Sequence, residues 1–350
     1  MNRIAVLLIP LALLSGCQSM KSEPVSTNRS IYNGNNSLLY EVKNQSASTA
    51  QAMQIAAGAY QAGELDQALY QYLRAIEMDP ARYEALVWVG RIHRERGNER
   101  LAEMAFSDVL SSDPDNPDAL AEMGLLALAM HQQNEATQML NKAALLDQKR
   151  QGSAASMAAT ANLKVDAQSP LKVYNGLGVL ADLRNDFTSA EAYYRLALKI
   201  VPRSAQVQNS IGYSNYLAGN WEQAESAYKL GIVYDSKYKS LWRNYGLLLA
   251  RKGQYEQALS AFEQVESRAE ASNDVGYICL IEGQLEGAEQ FLRSAIELSP
   301  SYYTTAWDNL NRVQQIKRIR QPGLTQVEAA PTPTPTPVVT AVAVAAPPVR

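Results

Sequence analysis

The chain has 350 residues, of which 47% are hydrophobic, so it is long enough to bury a large apolar core. It carries 32 Lys and Arg residues against 35 Asp and Glu, and this balance gives no indication of a nucleic-acid-binding surface. With only two histidines and two cysteines, the chain has little material for a metal site.

Residues 1–16 have the pattern of a signal peptide. Arg3 supplies a positive charge, and the apolar stretch from Ile4 to Leu14 is shorter than the roughly 20 residues that span a bilayer. The stretch leads into Leu-Ser-Gly-Cys, which resembles a bacterial lipobox. The resemblance implies cleavage before Cys17 and lipidation of that cysteine. The alternative is an ordinary secretory signal with an incidental cysteine.

The residue after the cysteine is Gln18, where an aspartate would indicate retention in the inner membrane. By analogy with enteric lipoproteins, we expect anchoring in the outer membrane, facing the periplasm. Residues 17–47 are rich in Ser and Asn and lack helical periodicity, which predicts a lipidated flexible tether.

From residue 48 onward, one pattern of small and large residues recurs. The stretch 171–202 shows it clearly, with two amphipathic helices separated by a polar turn. The small position is occupied by Gly90, Gly124, Gly178, Gly212, Gly246 and Gly276, and the matching large position by Phe106, Leu140, Tyr194, Tyr228, Phe262 and Leu292. Seven units in phase resemble the tetratricopeptide repeat. This resemblance implies an all-α solenoid of about seven helix pairs with a C-terminal capping helix.

The spacing of the units predicts the organisation of the chain. Three repeats occupy residues 48–148, an insertion rich in Ala, Ser and Gln occupies 149–170, and four repeats plus the cap occupy 171–320. The insertion is either an extra helix or a linker. A shorter spacing after Trp242 predicts a shortened second helix or loop in the sixth unit. Residues 321–350 are rich in Pro, Ala and Val and predict a disordered spacer; binding of peptidoglycan or a neighbour by this tail is the alternative.

No pattern for catalysis is present. His93 falls on a packing position, His131 takes the place of a turn glycine, and Cys279 falls on a packing position. We therefore predict that the chain is not an enzyme, has no small-molecule substrate, and carries no metal and no cofactor apart from the lipid on Cys17.

The resemblance to tetratricopeptide repeats also implies that the first helix of each pair lines a concave groove. On the groove positions of the last four units lie Asn175, Asn209, Arg243 and Asn273, with Tyr213 and Tyr277 one turn further along. Amide side chains there suit the backbone of an extended peptide, Arg243 suits a carboxylate, and tyrosines add contact area. The alternative is that the asparagines cap helices or point into water. Arg91 and Arg94 form a weaker basic counterpart, which a solvated helix face explains equally well.

Three runs carry a narrower resemblance: NSIGYSNYLAGNWEQAESAYKLGI, YKSLWRNYGLLLARKGQYEQALSAFE, and an ending in which SPSYY leads into a helix with Trp307. Together with the lipobox, they are similar to the TadD lipoproteins of the Flp (tight-adherence) pilus machinery. The resemblance implies a non-enzymatic, pilotin-like scaffold whose partners are the secretin or other pilus-assembly proteins. The alternative is an adaptor for peptidoglycan hydrolases or another envelope complex.

Overall fold

The computed structural model describes residues 46–153, 160–299 and 301–320. Within these ranges the chain forms 15 α-helices, one 3₁₀ turn and no strand. The helices follow one another as seven pairs and a final single helix. The predicted all-α repeat solenoid with a capping helix is therefore confirmed.

The helices have the following bounds. The first three pairs are α1 (Thr49–Gln61) with α2 (Leu65–Met78), α3 (Tyr83–Glu95) with α4 (Glu99–Ser112), and α5 (Pro117–Ala129) with α6 (Gln133–Arg150). After the 3₁₀ turn Thr160–Asn162 come α7 (Leu171–Leu183) with α8 (Phe187–Ile200), and α9 (Ala205–Leu217) with α10 (Trp221–Tyr234). The last elements are α11 (Lys239–Arg251) with α12 (Tyr255–Phe262), α13 (Arg268–Ile281) with α14 (Leu285–Leu298), and α15 (Thr304–Arg320).

The turn inside each pair depends on one residue in the left-handed region of backbone conformation. Five pairs use glycine there, whereas the third uses His131 (φ 60°) and the fourth uses Asn185 (φ 59°). A left-handed residue after a helix lets the chain reverse direction, and glycine adopts it without strain. The prediction that His131 takes the place of a turn glycine is confirmed.

The two helices of a pair approach closely because a small residue on the first faces a large residue on the second. A Cβ atom added to Gly178 would overlap the ring of Tyr194, and one added to Gly212 would overlap the ring of Tyr228. Tyr194 and Tyr228 are almost wholly buried, so their rings have no room to move aside. The recurring glycine therefore sets the distance between the paired helices.

Successive pairs stack through both of their helices. Each second helix packs against the first helix of the next pair, and from α3 onward each first helix also packs against the next first helix. Tyr60 on α1 extends this contact to α3, where it donates a hydrogen bond to Glu95 and packs edge-on against Trp88. The first helices α1, α3, α5, α7, α9, α11 and α13 thus form one layer, called here the first-helix layer.

Stacking continues across the predicted insertion. Both α5 and α6 pack against α7, and the buried Leu163 joins the core between them. Arg150 at the end of α6 pairs with Asp147 of the same helix at 2.6 Å and with Asp166, in the segment that leads to α7, at 2.7 Å. These ion pairs attach that segment to the end of α6. In the sixth unit, α12 has 8 residues where α10 and α14 each have 14, in agreement with the predicted shortening.

Several predictions concern residues outside the described ranges. These are the signal peptide, the lipid on Cys17, the tether as far as residue 45, residues 154–159 of the insertion, and the tail 321–350. In the part of the chain that the structure describes, no helix is long and apolar enough to cross a membrane.

Replacing Gly212 by Ala tests the close approach of paired helices. The new methyl group would press on the buried Tyr228 ring, so we expect the free energy of unfolding to fall by about 1–3 kcal/mol, measured by urea denaturation. Gly58 lies exposed on α1 with open space around it. Gly58→Ala is the matched control and should stabilise the protein by about 0.5–1 kcal/mol. Equal effects of the two substitutions would contradict the packing argument.

Candidate partner-binding surface

The structure places all of the predicted groove residues on the first-helix layer. Asn175 lies on α7, Asn209 and Tyr213 on α9, Arg243 on α11, and Asn273 and Tyr277 on α13. Because these helices pack side by side, the six residues share one layer although up to 102 positions separate them in the sequence (277 − 175). Their role in binding a partner stays a prediction.

Two of the asparagines bind the next unit of the solenoid. Asn209 accepts a hydrogen bond from Asn244 Nδ2 at 2.9 Å, and Asn273 accepts one from Asn309 Nδ2 at 3.1 Å. Asn175 differs from them. It is 7% exposed, and its Oδ1 has no hydrogen-bond partner among the described residues. Because this oxygen is itself buried, Asn175 presents no accessible acceptor to a partner in this structure.

Arg243 already holds a carboxylate of its own chain. Its Nε donates to Glu266 Oε1 at 2.6 Å, while about half of the Arg243 side chain (52%) stays exposed. The sequence interpretation assigned this guanidinium to a carboxylate of the partner. The structure shows instead that the guanidinium neutralises the carboxylate of Glu266 within the same chain.

A row of aromatic and charged side chains extends from α9 through α11 to the residue that follows α13. The rings of Tyr213 and Tyr216 stack with centroids 5.9 Å apart. Arg251 on α11 donates to Tyr216 Oη at 3.2 Å and pairs with Glu282, beyond the end of α13, at 2.6 Å. Tyr213 and Tyr277 are each half-buried, so part of each ring is accessible to a partner. Half-buried aromatic rings of this kind are enriched among the residues that dominate binding energy.

A buried carboxylate holds the two arginines of the second unit. Glu122 on α5 is 2% exposed and accepts from Arg91 Nε at 2.8 Å, while Arg94 pairs with it at the same distance. The Arg91 guanidinium also lies 4.5 Å from the centre of the Trp88 ring. Burial alone would raise the pKa of Glu122, but Arg94 and Arg91 hold it below its usual value. These arginines are therefore neither a solvated face nor free cations.

A second buried carboxylate joins three helices. Asp182 on α7 is 5% exposed and accepts hydrogen bonds from Tyr194 Oη of α8 and Ser214 Oγ of α9, each at 2.6 Å. Both donors are uncharged, so their hydrogen bonds do not fully replace the hydration that the Asp182 carboxylate loses on burial. Burial therefore raises the pKa of Asp182 to about 6, against the effect of the two hydroxyl donors.

Sequence reasoning missed Glu122, Asp182 and Glu266. Glu122 and Asp182 had a detectable signal, because each is a single acid within an apolar stretch, ALAEMGLLALA and GLGVLADL. Lone acids on a packing face are seldom solvated, and burial then requires partners. Glu266 had no such signal, since it lies near other polar residues.

Asp182→Asn tests the buried carboxyl. Because burial raises its pKa from 3.8 to about 6, the folded protein binds this proton more tightly than the unfolded chain. That stabilisation is fully present below the unfolded pKa and is lost as the pH rises through the folded pKa, by roughly 3 kcal/mol in all. We expect the fall in unfolding free energy between pH about 4 and about 7 to be smaller in Asp182→Asn than in the parent protein. The exposed Asp308→Asn should keep the parent slope, and an unchanged slope in Asp182→Asn would refute the assignment.

Comparison with known proteins gives a family for these repeats. A family model described as "Tetratricopeptide repeat" matches residues 54–117, 184–239, 211–268 and 246–303, which together make up more than half of the chain. No curated protein sequence gives a match.

Solved structures share the fold. A tetratricopeptide repeat protein from Parabacteroides merdae is 16% identical, with 77% of this chain and 100% of that chain covered and a TM-score of 0.51. The APC/C hetero-tetramer Cut9-Hcn1 is 16% identical over 76% of this chain and 51% of that chain, with a TM-score of 0.55. The type IV pilus biogenesis factor PilW is also 16% identical, over 77% of this chain and 100% of that chain, but its TM-score of 0.46 is too low to carry an argument.

At these identities the solved structures show the fold alone. The repeat family rests on the matched sequence segments, and the structure contains the seven helix pairs that such repeats form. The chain therefore belongs to the tetratricopeptide repeat family, whose stacked helix pairs act as scaffolds for protein–protein interaction.

Proposed function

We propose that this chain is an outer-membrane lipoprotein that faces the periplasm and holds an extended segment of a secretin or another pilus-assembly subunit. The observation that carries the proposal is the first-helix layer, which presents the half-buried rings of Tyr213 and Tyr277 and the half-exposed side chain of Arg243 on its last three repeat units. The lipobox ending at Cys17 and the similarity to TadD lipoproteins support the location and the kind of partner.

The layer offers two kinds of contact to an extended peptide. Arg243 keeps about half of its side chain (52%) exposed beside Glu266, so its guanidinium is within reach of a polar group of the peptide. Tyr213 and Tyr277 are half-buried and so are held in place, which lowers the entropy lost when a partner binds. Asn209 and Asn273 act mainly by joining adjacent units and so keep the layer continuous.

The proposed lipid anchor confines the scaffold to the membrane that contains the secretin. Each buried CH₂ group of an acyl chain contributes about 0.8 kcal/mol, so several chains on Cys17 would hold the protein firmly where a single chain would not. The scaffold would then meet its partner by diffusion in two dimensions.

Deletion of the gene tests the function. We expect fewer secretin multimers and fewer surface pili, measured by immunoblotting of heat-resistant multimers and by counting pili. The parent chain should restore both, whereas Cys17→Ser should be released from the membrane fraction and fail to restore them. Normal multimers and pili in the deletion strain would exclude the proposal, and capture of peptidoglycan hydrolases in place of secretin subunits would favour the adaptor alternative.

Tyr277→Ala tests the surface itself. Because Tyr277 is half-buried on the first helix α13, its ring is accessible to a partner, and we expect crosslinking of the secretin subunit in intact cells to fall several-fold. Tyr70 is also half-buried but lies on the second helix α2, so Tyr70→Ala is the matched control and should crosslink like the parent chain. Equal crosslinking by Tyr277→Ala and the parent would show that Tyr277 makes no contact with the partner.

A further inference from the structure

Two exposed aromatic side chains lie at the start of the capping helix α15. Tyr302, two residues before the helix, is 75% exposed, and Trp307 in its first turn is 36% exposed. Their rings stack with centroids 6.3 Å apart and 16° between the ring planes. The outer face of a terminal repeat is ordinarily polar, because no further repeat packs on it. These two residues, called here the aromatic pair, are therefore apolar surface that the described repeats leave exposed.

Polar side chains continue the line of Trp307 along α15. Asn311 and Arg318 follow Trp307 by 4 and 11 residues (311 − 307 and 318 − 307), which places all three on one face of the helix, and both are exposed. Buried residues such as Ala306 and Val313 belong to the other face, which packs on the last repeat. The outer face of α15 thus combines aromatic rings at one end with hydrogen-bond donors along its length.

The sequence after α15 favours a reversal of the chain along this face. The helix ends at Arg320 and is followed directly by Gln321, Pro322 and Gly323. Proline shortly after a helix cannot continue it, and Pro-Gly is typical of a turn. A turn at this point would lead the following residues back toward the start of α15.

The segment that follows the Pro-Gly pair is long enough to reach the aromatic pair. Trp307 lies 13 residues before the end of α15 (320 − 307), about 20 Å away along the helix axis at roughly 1.5 Å per residue. Pro331 lies eight residues beyond Gly323 (331 − 323), and eight extended residues span about 26–29 Å. The run PTPTPTP at 331–337 therefore begins within reach of Trp307.

The chemistry of this run suits the outer face of α15. Its alternating prolines favour polyproline II, which has three residues per turn, so each of its three faces carries at least one proline. Proline-rich segments in this conformation are recognised by surfaces lined with aromatic rings. Polyproline II also makes no internal hydrogen bonds, so its carbonyl groups are free to accept from a donor such as Asn311 Nδ2.

Charge favours the same path. Between residues 321 and 337 the only charged residue is Glu328. A segment that returns from the end of α15 passes the exposed Arg318 before it reaches Trp307, so Glu328 meets a cation on the way. An exposed ion pair contributes little to stability, so this pair mainly orients the segment, and the aromatic contact provides most of the binding.

We propose that residues 331–337 of this chain fold back and bind the aromatic pair and the adjoining outer face of α15 as a polyproline II segment. The sequence interpretation treats residues 321–350 as a spacer, whereas the aromatic pair gives one part of them a binding site. Only residues 321–330 separate the run from the helix, so its effective concentration at the rings is high. The bound run covers apolar rings that would otherwise be available to a second copy of the chain.

Photo-crosslinking of the full purified chain tests the proposal. Benzoylphenylalanine replaces either Asn311, on the face of Trp307, or Arg312, which is also exposed but points about 140° away from Trp307. The two positions are adjacent, so chance encounters with the following segment would crosslink both equally. We expect position 311 to crosslink to residues 324–337, located by mass spectrometry, in several-fold higher yield than position 312.

Variants separate recognition from simple proximity. Trp307→Ala removes the larger ring, and the double change Pro333→Gly and Pro335→Gly weakens the preference for polyproline II while keeping the length of the segment. Each should lower the yield from position 311 several-fold. Because Trp307 is exposed, its loss should leave the helix content unchanged by circular dichroism. The proline variant alters no described residue, so its outcome does not depend on the packing of the capping helix.

Three results would overturn the proposal. Equal yields at positions 311 and 312 would show random encounter. An undiminished yield in the proline variant would show proximity without recognition of the run. Crosslinks that join isotopically light and heavy chains in a mixed sample, in place of crosslinks within one chain, would show that the aromatic pair binds a second copy.

Discussion

The close approach of the two helices in each pair is the constraint on which the rest of the structure depends. Gly178 against Tyr194 and Gly212 against Tyr228 leave no room for one added methyl group. A pair held at this distance still has apolar faces that it cannot bury alone, so each pair must pack on the next. Continuous cores result, such as the one that extends from Ala52 on α1 to Leu126 on α5.

Stacking at this distance also brings first helices together and buries polar side chains between them. Glu122 takes two arginines, and Asp182 takes two hydroxyl donors. The pair Asn273–Asn309 attaches the capping helix to the last repeat. Each of these contacts requires one register between neighbouring helices, because a shift would leave a buried polar group without a partner. The polar contacts therefore specify how the units stack, while the apolar residues drive the stacking.

The side chains that remain accessible on the first-helix layer are aromatic and basic. The half-buried ring of Tyr213 stacks on Tyr216, which accepts a hydrogen bond from Arg251, so these rings are fixed in place. Arg243 is anchored by Glu266 while half of its side chain stays exposed. The buried amides and carboxylates hold the units in register, and the partly exposed rings and guanidinium are what the layer presents to its surroundings.

The sequence by itself determined the repeat fold, because small and large residues recur in phase and only stacked helix pairs bury such a pattern. It also determined the reversal at His131 and the helices that carry Asn175, Asn209, Arg243 and Asn273. What those side chains contact was decided only by the tertiary structure. Arg243 meets Glu266 across 23 positions and Asn273 meets Asn309 across 36. The repeat period places such residues on neighbouring elements, but only the packed side chains decide which polar groups face each other, because that depends on the register and rotation of each helix.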